Sequence, residues 1–399
     1  MDSKVKKVLI VQSIIIISSL GLFFGTMAWY PMGEEYDWDR IERRQEVLGG
    51  ASMYGYTFQD YDVFMHSTAK DDYLQYVYDG LDFAFVKAQW SVLGIDNDTL
   101  NTEFLDNLTL YVNELAANGL QVVIHTWVSS YSPEWLYPLV PELVGKSARW
   151  MGMDPDSTNE TLLEHRRILK NSMIRFHEML CDYFVNEGID QHIRGFCLDD
   201  ETQSDYWTDF FSEITDLLLT YNSSWRIGAM FNRYDKYKMT GDTGMTCNYM
   251  DPYNQDPEFI RKIQYAYDIS GVDNISVLID AMGGHDDVAF HKKMRREAWI
   301  SWFMGVDSIG WYTFIYPSDE WAVLKWNGGQ TPIETDKTRA AIAAKVDIDT
   351  LDSAYQKIYN IPNEEQKESW KTTLLEAYHL ARINRFNDAR NLVQEVIDA

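Results

Sequence analysis

Cysteine and basic residues are scarce in this sequence, and each shortage excludes a class of protein. The chain has three cysteines, Cys181, Cys197 and Cys247, in 399 residues. Their odd number and irregular spacing exclude a disulfide framework and a cysteine metal clip, so we expect small core residues. Lys and Arg total 35 against 61 Asp and Glu, giving a formal net charge of −26. This balance argues against nucleic-acid binding, which requires clustered Lys and Arg.

Apolar and aromatic residues, in contrast, are plentiful. Hydrophobic residues make up 46% of the chain and charged residues 24%, so the chain can fold around a large core. Aromatic residues account for 14%, including 14 Trp and 25 Tyr. The length suits one large α/β barrel with an appendage, or two medium domains.

The N-terminus combines a basic flank with a long apolar run. Lys4, Lys6 and Lys7 precede a segment over 8–30 that polar residues interrupt only sparsely. The run is long enough to cross a bilayer, and its basic flank favours the cytoplasmic side. We therefore predict a single-pass membrane anchor over 1–30, with the main domain extracellular at the cell membrane.

A cleaved signal peptide ending at Thr26-Met27-Ala28 is the alternative, and it also places the main domain outside the cell. Residues 31–47 are acidic and polar, and we interpret them as a juxtamembrane spacer. Five Asn-x-Ser/Thr motifs modestly exceed chance and suggest a glycoprotein. Their asparagines are Asn97, Asn107, Asn159, Asn222 and Asn274.

Short apolar runs alternate with longer helical patterns through most of the chain, which is typical of parallel sheets with crossover helices. The predicted strands are 51–56, 83–90, 121–128, 193–200, 226–231, 245–251, 275–282 and 307–315. The predicted helices include 102–118, 160–187, 205–221, 257–269 and 286–304. Eight strands predict a (β/α)₈ barrel over 48–360. A doubly wound open sheet is the alternative, weakened because no Gly-rich phosphate loop follows the first strand.

Two segments lie outside the repeating pattern. The long, proline-containing loop over 129–158 follows the third strand and either shapes a substrate cleft or packs as a structural excursion. Residues 361–399 are predicted to form a helical hairpin, in which Ala377 to Val393 resembles one tetratricopeptide repeat. A single repeat cannot bury its own apolar face, so we expect it to pack on the barrel; docking of a protein partner is the alternative.

The fourth predicted strand ends in three consecutive carboxylates. Side chains alternate along a strand, and bulky Phe196 and Leu198 suit the helix side, so Asp199 and Glu201 should face the lumen. Barrel enzymes place their chemistry at this carboxyl end. Crowded carboxylates raise the pKa of at least one of them, as a general acid requires. A following helix N-terminus explains Asp200 without a catalytic role, but explains Asp199 poorly.

Two further acids end the sixth and seventh predicted strands. Asp251 shares its parity with Tyr249 and Tyr253, and Asp280 lies within an apolar run. An acid in such a run requires a partner or a function. The alternatives are a turn role for Asp251, which precedes Pro252, and a buried structural role for Asp280.

Most other predicted strand ends carry an aromatic, basic or amide side chain. Aromatic faces stack on sugar rings, and polar side chains bind hydroxyl groups. Lys87 is placed to neutralise the acids or to bind a substrate hydroxyl. The predicted substrate-binding residues are Lys87, Gln89, Trp90, His125, Trp127, Asp200, Asn232, Tyr249, Tyr253, Trp311 and Tyr312.

Residues 50–355, with the motif Gly195-Phe196-Cys197-Leu198-Asp199-Asp200-Glu201, resemble the TIM-barrel glycoside hydrolases. The motif looks like the strand-four motif of barrels whose nucleophile is an Asp there. That resemblance implies an acid two strands on, where Asp251 stands. The large retaining clan with Glu on strands four and seven fits less well, since strand seven offers Asp280.

The same motif also looks like the tail of the chitinase-type motif, in which the Glu is the acid. That resemblance implies that Tyr249 matches the strand-six tyrosine of that family and Trp311 its strand-eight tryptophan. Arg194 and Cys197 occupy the positions of the earlier acids of that motif. The likeness is therefore to the superfamily, and no single family pattern is matched.

These observations predict a hydrolase that cleaves glycosidic bonds with two carboxylates and no cofactor or metal. Glu201 is the expected acid, with Asp199 beside it and Asp251 or Asp280 opposite. Because an acidic surface repels anionic glycans, a neutral saccharide is the expected substrate.

Two other functions stay open at this point. One is a non-catalytic surface protein that binds glycan or belongs to the cell envelope. The other is a metal-dependent hydrolase or deacetylase using His285 and His291, although the His-Glu-x-x-His motif is missing.

Overall fold

A computed structural model describes most of the chain after residue 35. The described residues are 36–44, 48–53, 75, 81–128, 132–144, 153–199, 204–231, 236–250, 256–280, 288–316, 324–325 and 334–399. For 48–53, 256–257, 278–280, 312–316 and 324–325 the description is of the backbone alone.

The apolar runs form one sheet in which every pairing is parallel. Its strands are β1 Leu48–Met53, β2 Phe83–Lys87, β3 Gln121–His125, β4 Ile193–Cys197, β5 Arg226–Gly228, β6 Met230–Phe231, β7 Asn248–Met250, β8 Ile275–Asp280, β9 Ser308–Tyr316 and β10 Leu324–Lys325. Their order is β5-β4-β3-β2-β1-β9-β8-β7-β6, and β10 adds to β9.

The sheet closes on itself at Ala229. This residue alone separates β5, which pairs with β4, from β6, which pairs with β7. The two short strands are therefore one barrel strand, and the ring has eight members. The predicted (β/α)₈ barrel is confirmed, and the open-sheet alternative is wrong.

Helices surround the strands as the crossover pattern requires. They are α1 Trp38–Arg43, α2 Trp90–Leu93, α3 Thr102–Ala117, α4 Glu160–Glu187, α5 Thr208–Tyr221, α6 Met239–Asp242, α7 Asp256–Ser270, α8 Val288–Phe303, α9 Asp336–Tyr359, α10 Glu364–Arg382 and α11 Phe386–Asp398. The bounds of α4 follow from its caps. The Asn159 side chain accepts hydrogen bonds from the first-turn N–H groups, and Gly188 ends the helix in the left-handed conformation at φ 69°.

Alternating side chains build two apolar layers. The large outer layer lies between strands and helices and contains Phe196 and Leu198. A small inner cluster fills the barrel lumen. Its members are Phe83, Phe85, Val123, Cys197, Met230, Cys247 and Tyr249. The parity predicted for the fourth strand is thus confirmed. All three cysteines are buried and none is in a disulfide, as expected of core residues.

Helix α1 packs against the amino end of the barrel. The Asp37 amide donates to Phe303 O at 2.8 Å, and Arg44 Nη1 donates to Trp302 O at 3.0 Å. Gly305, at φ 76°, lies so close that a Cβ atom there would come within 2.5 Å of Arg40 Cβ. Residues 36–44 therefore belong to the compact barrel unit, which corrects their assignment to a spacer.

The C-terminal hairpin packs on the barrel through a buried ionic cluster. The carboxylate of Asp347 in α9 is fully buried and accepts from Arg295 Nε of α8 at 2.5 Å. Arg390 of α11 also pairs with it, and Trp299 Nε1 donates to it at 2.9 Å. One carboxylate thus joins three helices, so the hairpin and the barrel form one unit.

The described parts of the 129–158 loop pack as a structural excursion. Leu136, Val140 and Leu143 are buried in the outer layer, and Trp135 Nε1 donates to Gly94 O at 3.0 Å. Across the part of the chain that the structure describes, no helix is both long and apolar enough to cross a membrane. The predicted anchor over 1–30 lies outside that part.

Candidate functional site

The carboxyl ends of β2, β3 and β4 place polar side chains in two layers at one mouth of the barrel. The strand register aligns Lys87 with His125, and His125 with Cys197. Backbone hydrogen bonds continue past the strand ends, from Ala88 N to His125 O at 2.9 Å and from Val128 N to Leu198 O at 3.2 Å. Gln89, Trp127 and Asp199 have the parity of the lumen-facing residues and form the next layer outward.

A stacked group, which we call the mouth cluster, is formed by Lys87, His125 and Trp127. The Lys87 Nζ atom lies 3.6 Å from the centroid of the Trp127 ring, within the range of a cation–π contact. The rings of His125 and Trp127 stack with centroids 5.7 Å apart at an interplanar angle of 28°. Phe85 meets His125 edge-on from the layer below, at 6.5 Å. The cluster therefore holds a positive charge against a stacked pair of rings at the mouth.

His125 is held in its neutral form. Burial, together with the neighbouring Lys87 charge, lowers the pKa of the His125 imidazole from 6.5 to about 3. Its Nε2 atom is buried and has no hydrogen-bond partner among the described residues. A neutral imidazole with an open nitrogen can bind a hydroxyl group, but it does not act as a cationic acid near neutral pH.

Trp127 has an unusual backbone conformation. Its φ of 50° is in the left-handed region, which bulky residues rarely occupy. The side chain is only 5% exposed. Such strain persists where the surroundings over-determine it, and it is common at ligand sites. The conformation turns the end of the third barrel strand and sets the Trp127 ring against Lys87.

Asp199 completes the described part of the mouth. The residue is fully buried, and its carbonyl accepts hydrogen bonds from Met230 N at 2.9 Å and Cys197 Sγ at 3.4 Å. These bonds fix the backbone at the junction where β4, β5 and β6 meet. Asp199 is thus a buried acid at the carboxyl end of a barrel strand, where this fold holds its active sites.

Three predicted substrate-binding residues lie away from this mouth. Trp90 begins α2 in the outer layer, with its ring centroid 6.0 Å from that of Phe176. Trp311 belongs to the outer layer with Ile309. Tyr249 fills the lumen, but its hydroxyl donates to Arg226 O at 3.3 Å, toward the amino end of the barrel. These positions correct the expectation that the three line the cleft. Trp90 and Trp311 lie on the helix side of the strands, and Tyr249 lies too deep in the lumen.

Gln89 is buried, and its Nε2 donates to Ser91 Oγ at 2.6 Å.

Asp280 and Tyr312 are register partners in β8 and β9, so their backbones lie side by side on two adjacent strands. The remaining predicted site residues lie outside the described residues. They are Asp200, Glu201, Asn232, Asp251 and Tyr253.

A buried polar pair, not among the predicted site residues, supports the mouth. His177 of α4 approaches Thr126 Oγ1 with Nε2 at 3.1 Å, and Thr126 Oγ1 lies 3.2 Å from Leu198 O. The His177 Nδ1–H donates to Met173 O at 2.8 Å. This chain of contacts ties the end of the third barrel strand to α4. In the sequence, this pair shows only as a histidine on the apolar face of a helix. Core histidines give the same pattern, so the sequence does not distinguish them.

Metal ligation finds no support in the described residues, where no group of three or more His, Cys, Asp or Glu side chains is arranged to hold an ion. His291 is buried in α8, and His285 lies outside the described residues.

Several solved structures share this fold. A β-galactosidase from the psychrophilic Marinomonas ef1 matches 76% of this chain at 11% identity with a TM-score of 0.55, and this chain covers 60% of its length. A Bacteroidetes-affiliated family 5 cellulase matches 78% of this chain at 11% identity and a TM-score of 0.54, over 93% of its own length.

The glycoside hydrolase family 5 mannosidase from Rhizomucor miehei also has a TM-score of 0.54 at 11% identity, covering 78% of this chain and 95% of its own. No family model matches the sequence, and no curated protein does. At this identity the similarity establishes the fold. The resemblance to TIM-barrel glycoside hydrolases is thereby confirmed at the level of architecture.

Proposed function

We propose that the protein is a glycoside hydrolase. The observation that carries this proposal is the buried acid Asp199, which follows β4 in the same outward layer as Trp127 of the mouth cluster, at the barrel end where such folds hold their active sites. The fold shared with a β-galactosidase, a cellulase and a mannosidase supports it. Fold alone does not define a reaction, so the proposal depends on the mouth.

In this mechanism two carboxylates flank the glycosidic bond. One protonates the leaving oxygen, and the other acts as nucleophile or activates water. We assign the acid to Glu201, two residues beyond Asp199 on the same predicted face, and the opposing carboxylate to Asp251 or Asp280. Asp199 sets the charge beside Glu201, and a neighbouring carboxylate raises the pKa of an acid that must keep its proton.

The mouth cluster suits a neutral sugar. Trp127 supplies an aromatic ring at the mouth, a group that packs on sugar C–H groups. His125 is neutral because burial lowers its pKa to about 3, and its Nε2 is a potential partner for a hydroxyl group. The net charge of −26 repels anionic polymers from the surrounding surface. A neutral oligosaccharide, polysaccharide or surface glycan is therefore the proposed substrate.

The proposed location is the cell membrane, with the barrel outside the cell. This rests on the apolar run over 8–30 and its basic flank. Among the Asn-x-Ser/Thr motifs, Asn97 and Asn159 are exposed and suit glycosylation, whereas Thr109 of the Asn107 motif is buried in α3.

The test measures hydrolysis of nitrophenyl gluco-, galacto- and mannosides and of neutral polysaccharides. We expect Glu201→Gln to lower kcat by roughly 10²–10⁴-fold, because it removes the proton donor. Asp190→Asn, at the opposite end of the fourth barrel strand, is the matched control and should retain activity.

Full activity of Glu201→Gln would refute the assignment of the acid. Glycan binding by the wild-type protein without turnover of any substrate would instead favour the non-catalytic glycan-binding alternative.

A further inference from the structure

A second pocket lies at the opposite, amino end of the barrel. It is a cavity of about 510 Å³ between α1 and the segments that lead into β5, β7 and β8. Four of its ten lining residues are arginines, namely Arg40, Arg43, Arg44 and Arg226, and one is an acid, Asp273. In a chain with 61 acids and 35 bases, this concentration of guanidinium groups is unexpected.

Structural contacts hold three of these guanidinium groups in place. Arg40 Nη1 pairs with Asp37 at 2.8 Å, and its guanidinium lies 4.0 Å from the Tyr267 ring centroid. Arg226 pairs with Asp307 beneath the lumen. These ion pairs hold the two arginines in place, and each guanidinium is a planar group with five N–H donors.

Arg44 is the most deeply buried of the four. Its side chain is 5% exposed, and Nη1 donates to Trp302 O and Val306 O at 3.0 and 3.2 Å. Asp352 Oδ1 lies 3.6 Å from Nη2, which has no hydrogen-bond partner within the described residues. Burial lowers the pKa of the Arg44 guanidinium to about 10. A buried donor of this kind favours an anion near it.

Arg43 is exposed and has no ion pair with any described carboxylate. The pocket thus combines a buried guanidinium, that of Arg44, with an exposed one, that of Arg43, which pairs with no described carboxylate. Planar guanidinium groups bind phosphate oxygens with paired hydrogen bonds. The overall negative charge does not prevent this, because at physiological salt its field is screened beyond about 8 Å.

We propose that this amino-end pocket binds a phosphate group. The size admits a phosphate with a small organic substituent, and Asn274 at the rim adds an amide. Arg40, Arg43 and Arg44 follow the apolar run, which ends at Tyr30, by only ten to fourteen residues. A lipid headgroup and a soluble phosphate present the same chemistry to these arginines. The site is independent of the carboxyl-end mouth and of the proposed hydrolase activity.

The experiment uses the full chain in a sugar-free nonionic detergent. Isothermal titration calorimetry measures binding of inorganic phosphate, with chloride at matched ionic strength as the reference. Parallel titrations use dihexanoyl phosphatidylglycerol and dihexanoyl phosphatidylcholine below their micellar concentrations. Each ligand is tested on the wild type, on Arg43→Gln and Arg43→Glu, and on the control Arg167→Gln, an exposed arginine of α4.

Loss of the Arg43 charge should weaken phosphate binding about tenfold, and Arg43→Glu should abolish it, while Arg167→Gln binds as the wild type does. Arg43 is exposed, so folding should be unaffected, which circular dichroism checks. Binding of inorganic phosphate at least as tight as that of lipid supports a soluble ligand. Preference for phosphatidylglycerol supports a lipid headgroup. Absence of Arg43-dependent binding for every ligand would overturn the proposal.

Discussion

Two histidines in the barrel wall are kept neutral by burial. The pKa of His125 is lowered to about 3 and that of His177 to about 4, from an ordinary 6.5. Their roles differ, because His125 faces the mouth and His177 braces Thr126 from α4. His125 thus contributes to the site itself, and His177 to the stability of the wall behind it.

His177 should make the fold acid-labile. Its folded pKa lies below the unfolded value, so the unfolded state binds the proton first as the pH falls. Its contribution to stability is present above about pH 6.5 and is lost as the pH falls towards 4. Over that window, His177→Gln should reduce the slope of unfolding free energy against pH by about 1.4 kcal/mol per unit.

Urea unfolding at a series of pH values from 4 to 7 measures this slope. The matched control is His379→Gln, which changes an exposed histidine in α10 and should leave the slope as it is. An unchanged slope in His177→Gln would show that the buried imidazole does not govern acid sensitivity.

At the scale of elements, the C-terminal helices depend on one carboxylate. Asp347 is fully buried and pairs with Arg295 of α8 and Arg390 of α11. Removing one partner of a buried network leaves the others uncompensated, which costs more than an apolar replacement of the whole network. The face of the hairpin that packs on the barrel is therefore committed to intramolecular contacts.

Asp347→Ala should lower the free energy of unfolding by roughly 3 kcal/mol or more, because two guanidinium groups and the Trp299 N–H lose their acceptor. Asp388→Asn is the control, since Asp388 pairs with Arg385 where both side chains are about half exposed. The Asp388→Asn substitution should lower the free energy of unfolding by less than about 1 kcal/mol. Chemical denaturation compares the two, and equal losses would mean that the buried network contributes no more than a surface ion pair.

At the scale of the whole molecule, the excess of acids opposes the compact state. The net charge is −26, and like charges repel across the folded surface. Raising NaCl from about 0.01 to about 0.15 M shortens the Debye length from about 30 to about 8 Å. We expect the thermal midpoint at pH 7 to rise by roughly 2 °C.

Differential scanning calorimetry in chloride buffers checks this increase. The control repeats the salt series near the sequence pI of about 4.6, where the net charge vanishes and the stabilisation should disappear. A midpoint that falls with salt at pH 7 would show that attractive ion pairs outweigh the net repulsion.

Much of the fold follows from local chemistry that the sequence displays directly. Each of the eight predicted strands overlaps a barrel strand, because apolar runs bounded by polar turns have few other ways to bury themselves. The α4 bounds match the predicted 160–187, since Asn159 and Gly188 supply strong local end signals. The lumen parity of Cys197 and Asp199 follows from the bulk of Phe196 and Leu198.

The positions of Trp311, Tyr249 and residues 36–44 required the folded structure. Trp311 and Tyr312 are adjacent in sequence, and only the pairing of β8 with β9 assigns Trp311 to the helix side. The depth of Tyr249 depends on how far β7 sits along the barrel axis. In the sequence, Arg40, Arg43 and Arg44 resemble part of a polar spacer. Only the packing of α1 against Gly305 places them around the amino-end pocket. Short-range patterns specify which segments become strands and helices, whereas pockets arise from contacts between residues far apart in the chain.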